Sequence, residues 1–120
     1  MKINELKGAW LDYWVAHSQG ISKAFLEVRQ VPRTDDFHCV RLPADSTKHA
    51  MVMNYTSSWA LSGNLLDKYR VTIDHDGFSG GVQVHIFHSE SAQWMSIEGK
   101  DAREAICRAV VMVHFGQEVM

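Results

Sequence analysis

Residues 101–116 read Asp-Ala-Arg-Glu-Ala-Ile-Cys-Arg-Ala-Val-Val-Met-Val-His-Phe-Gly, and the rest of the chain must pack around this stretch. Asp101 is a helix N-cap residue, and Glu104 three positions later completes a capping-box pattern. Gly116 stands where a helix needs a left-handed residue to stop. Between these marks Ala102, Ala105, Ile106, Ala109, Val110 and Val113 recur at the three- and four-residue spacing of one helical face. Cys107, Val111, Met112 and Phe115 are apolar as well, which leaves Arg108 as the only formal charge between Glu104 and Gly116. A helix apolar nearly all round is buried on more than one side.

The next strongest pattern is a hairpin over residues 71–88. Val71, Ile73 and His75 alternate with Thr72, Asp74 and Asp76, and Val82, Val84, Ile86 and His88 alternate with Gln83, His85 and Phe87. A one-residue slip would turn every side chain to the wrong face, so Val71 must pair with Ile86 and Ile73 with Val84. Residues 76–81, with three glycines, are then the connecting loop. Upstream, Asn4 suits a cap for a first turn, and residues 9–18 look helical with Gly20 as the stop. Leu11, Trp14, Val15 and Ser18 share one stripe of that helix, and Trp10, Tyr13, Trp14 and His17 form an aromatic stripe beside it. Large aromatics are how a small domain fills its core, so this stripe is read as packing before it is read as a stacking platform.

Short strands are expected at residues 23–30, 37–42, 49–54 and 94–97, with turns at Pro32 and Pro43. Residues 55–64, Tyr-Thr-Ser-Ser-Trp-Ala-Leu-Ser-Gly-Asn, are rich in hydroxyls and turn formers and read as irregular, with one helical turn at 65–69. The order of helix, antiparallel strands and helix predicts a single α+β domain over residues 1–120. Its small antiparallel sheet, of three to five strands, is packed on one face by the N-terminal and C-terminal helices.

Composition bounds the function. At 120 residues, 46% hydrophobic and 22% charged, the chain is an ordinary globular domain with a net charge of −2. That charge supplies no general attraction to a phosphate backbone, so non-specific nucleic-acid binding is not expected. No apolar run approaches the length of a membrane span, and residues 1–7 lead straight into an amphipathic pattern, so a signal peptide is not expected. Cys39 and Cys107 make no disulfide framework. The expectation is an intracellular protein with reduced thiols.

With these elements placed, the chain resembles a family of small phage and prophage proteins called NinX-like. The N-terminal match is Glu5-Leu6-Lys7-Gly8-Ala9, Leu11-Asp12, Val15-Ala16 and Gly20. The middle match is Tyr55, Ser58-Trp59-Ala60 and Gly63, and the C-terminal match is Ala105, Arg108, Val111, Gly116 and Glu118-Val119. Residues 21–54 depart from the family pattern, and Lys100-Asp101-Ala102 stands where the family usually carries a proline. The resemblance implies a phage or prophage origin and action in the cytoplasm of the bacterial host cell. It implies no activity, because the family has no assigned biochemical function.

The sequence carries no legible catalytic site. Seven histidines invite a metal reading, yet His85 and His88 are three apart on one strand and point to opposite faces. No serine lies in a Gly-x-Ser-x-Gly elbow, and residues 77–81 lack the Lys-Ser/Thr of a phosphate loop. An enzyme is therefore not expected, nor is a cofactor or metal. The candidate binding residues are Tyr55, Ser58, Trp59 and Asn64, where a ring and hydroxyls could hold a flat ligand, together with Arg108. A guanidinium inside an apolar helix needs a partner, so Arg108 is expected to tie the last helix to residues 55–64 or to an acid. Glu104 is the local acid, and Asp12, Asp67 and Glu118 are the distant ones. The face Cys107–Val111–Phe115 must be covered by the sheet and first helix or by a second copy, and a homodimer is expected. Two functional readings stay open. The favoured one is a non-catalytic binder of a host or phage protein; the other is a small-ligand binder that sequesters a nucleotide signal used in host defence.

Overall fold

A computed structural model describes residues 1–43, 50–75 and 81–119. The secondary elements are α1 (Gly8–Ser18), β1 (Leu26–Gln30), β2 (Phe37–Arg41), β3 (Met51–Val52), α2 (Trp59–Lys68), β4 (Val71–His75), β5 (Val82–His88), β6 (Gln93–Gly99) and α3 (Ala102–Phe115). The class is α+β, as the element order requires. The strands, however, form two antiparallel sheets of three, β1-β2-β3 and β4-β5-β6. The two terminal helices therefore do not share one sheet face. α3 packs on β5 and β6, α1 packs on β1 and β2, and the two helices pack on each other. This is why α3 is apolar on two sides: one side meets a sheet and another meets α1.

Local chemistry sets the ends of α3. The Asp101 carboxylate accepts the Glu104 N–H at 2.9 Å, and the Glu104 carboxylate in turn accepts the Lys100 N–H at 3.1 Å. Gly116 closes the helix at φ 83°, a region costly for any side chain. Just before the helix, β6 runs so close to it that a Cβ on Gly99 would lie 2.5 Å from the Ala105 backbone nitrogen. The second sheet has the predicted register, Val71 opposite Ile86 and Ile73 opposite Val84. Val84 and Ile86 are fully buried, while Thr72, Gln83 and His85 turn away from α3. The expected loop falls mostly on residues 76–80, outside the described residues.

Four local expectations are corrected. Asn4 does not cap α1; it sits inside a 3-10 turn, Ile3–Glu5, and α1 starts at Gly8 after an uncapped Lys7. The strand expected from residue 23 begins at Leu26, because the Ser22 hydroxyl accepts the Ala24 N–H and winds Lys23–Phe25 into a 3-10 turn. The strand expected at 49–54 is only Met51–Val52, with residue 49 outside the described residues. Residues 55–64 are not irregular throughout. From Trp59 onward they are helix α2, which the Ser58 hydroxyl caps by accepting the Leu61 N–H. Its face carrying Ser62 and Leu65 is buried, and the helix packs on α3.

Candidate functional site

Asp12 is the least expected group in the molecule. It lies on α1 amid Leu11, Trp14, Val15 and Ala16, and only 4% of it is exposed. One carboxylate oxygen accepts the Thr56 N–H at 2.7 Å and the other accepts the Thr56 hydroxyl at 3.2 Å. The segment leading into α2 is thus fastened to α1 across 44 residues of chain. Burial pushes the Asp12 carboxyl up to about 6, while the two Thr56 bonds and nearby His38 oppose the rise. Around it the Cys39 thiol is raised to about 12 by burial and by Asp12, and burial holds the Cys107 thiol well above its ordinary range. Tyr55 is raised as well, chiefly by burial. Neither thiol forms a thiolate near neutral pH, so neither is an activated nucleophile.

The structure separates the five candidate residues. Tyr55 is buried in the core, Ser58 is spent on capping α2, and Asn64 is exposed on that helix. Trp59 also faces outward, 50% exposed, with the Arg103 guanidinium 5.5 Å from its ring centre. Arg103 also donates to the Ser57 carbonyl at 3.1 Å, and its buried Nε has no hydrogen-bond partner among the described residues. Arg108 lies elsewhere. It pairs with Glu104 at 3.1 Å and donates to the carbonyls of Leu6 and Glu98, each at 2.9 Å. The target expected at residues 55–64 is therefore corrected: Arg108 ties α3 to the N-terminal turn and to the end of β6. Of the acids considered, the local Glu104 is the partner.

Sequence reasoning missed the Asp12–Thr56 tie and the role of Arg103. A single carboxylate inside the apolar run of residues 9–16 was a signal for the first. Arg103 gave none, because a cation in the first turn of a helix is ordinary surface.

Beyond Trp59, two other aromatic surfaces stand open. Trp10 and Phe37, 53% and 54% exposed, help line a cleft of about 580 Å³ between the start of α1 and the β1–β2 connection, beside Asp35, Asp36 and His38. On the second sheet, Trp94 is 52% exposed next to Phe87. The face Cys107–Val111–Phe115 is covered within the chain: Cys107 and Val111 are fully buried, and Phe115 packs on Trp14 and stacks on His17 of α1. Among the described residues, no three His, Cys, Asp or Glu side chains converge on a point. His85 instead shares a 2.6 Å bond with Ser96.

These features define a small two-sheet α+β domain whose buried polar groups tie its elements together and three of whose four tryptophans lie outside. Over residues 2–114 the chain matches the family described as Bacteriophage P22, NinX, and it belongs to that family of phage proteins. No curated protein matches it.

Proposed function

We propose that this phage protein is a non-catalytic binder of a host or phage protein, acting in the cytoplasm of the bacterial host. The observation that carries the reading is the placement of tryptophan. Of four tryptophans only Trp14 is buried, and Trp10, Trp59 and Trp94 are each about half exposed. A small domain gains most by burying such rings, and exposed Trp beside Arg is the composition of protein-binding hot spots. Trp59 with Arg103 is the strongest such pair, because Ser57 holds the guanidinium in place and the ring sits at the start of a capped helix. Both cysteines are free thiols, which suits a reducing compartment.

The test is affinity purification from phage-infected cells, comparing the natural chain with Trp59→Ser and with Trp10→Ser. A protein recovered in stoichiometric amount with the natural chain, and lost with Trp59→Ser at unchanged melting temperature, supports the reading. Recovery equal for all three chains defeats the assignment to Trp59. The nucleotide-sequestering alternative predicts a different result: a small phosphorylated molecule released on denaturing natively purified protein, detected by mass spectrometry.

A further inference from the structure

The solvent face of the second sheet is polarised along its strands. The register that turns Val71, Ile86 and Met95 toward the core places Arg70, Phe87 and Trp94 side by side on the opposite face at one end. The Arg70 guanidinium lies 5.1 Å from the Phe87 ring centre and 5.9 Å from that of Trp94. The next row out is uncharged, Thr72, His85 and Ser96. The far row is Asp74, Gln83 and Glu98. Among the described residues neither carboxylate of that row takes an ion pair or hydrogen bond, and the Arg70 guanidinium donates none. The face thus has a cationic, aromatic end and an acidic end, with a neutral row between them.

We infer that this face is a self-association surface on which a second copy of the chain docks, related by a two-fold axis lying along the Thr72–His85–Ser96 row. An axis in that direction turns one sheet onto the other face to face and reverses the strand direction while keeping each strand over its own counterpart. Arg70 then lies opposite Asp74 of the partner subunit. Trp94, whose indole N–H has no acceptor among the described residues, lies opposite the partner's Glu98. Each unlike-charge contact occurs twice, which is the self-complementarity that an isologous interface requires. The other in-plane two-fold axis, parallel to the strands, lays β4 over the partner's β6 and sets Asp74 against the partner's Glu98, like charge against like. Face-to-face sheets tolerate the aligned geometry with a twist of about 30°. The patch is small: three strands about 4.8 Å apart and seven residues at about 3.4 Å make it roughly 14 by 24 Å. That is less than the face of a standard stable interface, so the dimer is a weak one that forms as concentration rises.

This surface is separate from the one proposed for a partner protein, since it uses Arg70 and Asp74 rather than Trp59 and Arg103. The test is sedimentation of the full chain from micromolar to millimolar concentration, with Arg70→Asp and Asp74→Arg. The natural chain should dimerise reversibly, and molar salt should weaken the dimer. Each variant alone should be monomeric, because its face now carries like charges at both ends. Mixed in equal amounts, the two should restore dimers, since the Arg70→Asp face is acidic at both positions and the Asp74→Arg face is basic at both. A natural chain that stays monomeric at millimolar concentration overturns the inference. So does a dimer that survives in either variant alone or in molar salt, and so does a mixture of folded variants that stays monomeric.

Discussion

Replacing Asp12 with Asn tests whether the buried carboxylate is a tie maintained at a cost. The carboxyl is raised from 3.8 to about 6, chiefly by burial. A folded-state value above the unfolded one means that the native fold prefers the protonated acid. That contribution to stability is complete below about pH 3.8, falls as pH rises through about 6, and is absent above. Raising the carboxyl from 3.8 to about 6 corresponds to about 3 kcal/mol lost between the two plateaus. Asn keeps the shape and can still accept the Thr56 N–H with its carbonyl oxygen, but it gives up the stronger bonds that a charged acceptor makes. The value of about 6 is already net of the Thr56 bonds, so Asp12→Asn should be more stable by up to roughly 3 kcal/mol at neutral pH. For a domain of this size that raises the melting temperature by up to roughly 10 °C.

The assay is thermal unfolding of both proteins by circular dichroism from pH 3.5 to pH 8. The natural chain should lose stability relative to Asp12→Asn across the interval from about 3.8 to about 6, and the difference should be flat above it. A difference that does not change with pH would show that Asp12 does not titrate there. A variant destabilised at neutral pH would show that the Thr56 bonds outweigh the cost of burial. Amide exchange at Thr56 gives a local check, since its N–H should stay protected in the variant if the asparagine carbonyl replaces the carboxylate.

Arg108→Ala should destabilise the chain by roughly 3 kcal/mol, read from urea unfolding, because it strips three partners and leaves buried Glu104 without its cation. An unchanged midpoint would remove its structural role. Gly99→Ala should cost roughly 2 to 3 kcal/mol by the same measurement, since the new methyl meets α3 backbone that no side-chain rotation can clear. Ser58→Ala should cost about 0.5 to 1 kcal/mol and speed amide exchange at Leu61, the N–H that the hydroxyl holds. Equal exchange in both proteins would mean that α2 is held by its packing on α3 alone.

The residue-level outcome divides along the range of the interactions involved. The ends of α3, the body of α1 and the β4–β5 register were legible because each rests on neighbours in the chain: a cap and its third residue, a glycine stop, a period of two. α2 was not legible. Ser58, Ser62, Gly63 and Asn64 are weak helix formers, and the segment turns helical because Ser62 and Leu65 gain burial and the helix packs against α3. Arg108 was marked by sequence as a cation that needs partners, and its pattern with Glu104 was visible. Its two carbonyl partners, Leu6 and Glu98, are set by where the N-terminal turn and β6 end in space. The division of the strands into two sheets, where a single sheet was expected, was likewise not legible, because alternation fixes which face a strand buries and carries no information about which neighbour it pairs with. Sequence alone therefore determined α1, the ends of α3, the β4–β5 hairpin, the α+β class and the resemblance to a phage family. Tertiary structure alone decided that Asp12 holds Thr56, that Trp59 meets Arg103 and that one sheet face is charged at opposite ends. Each of those depends on contacts between residues distant in the chain, whose geometry no local pattern encodes.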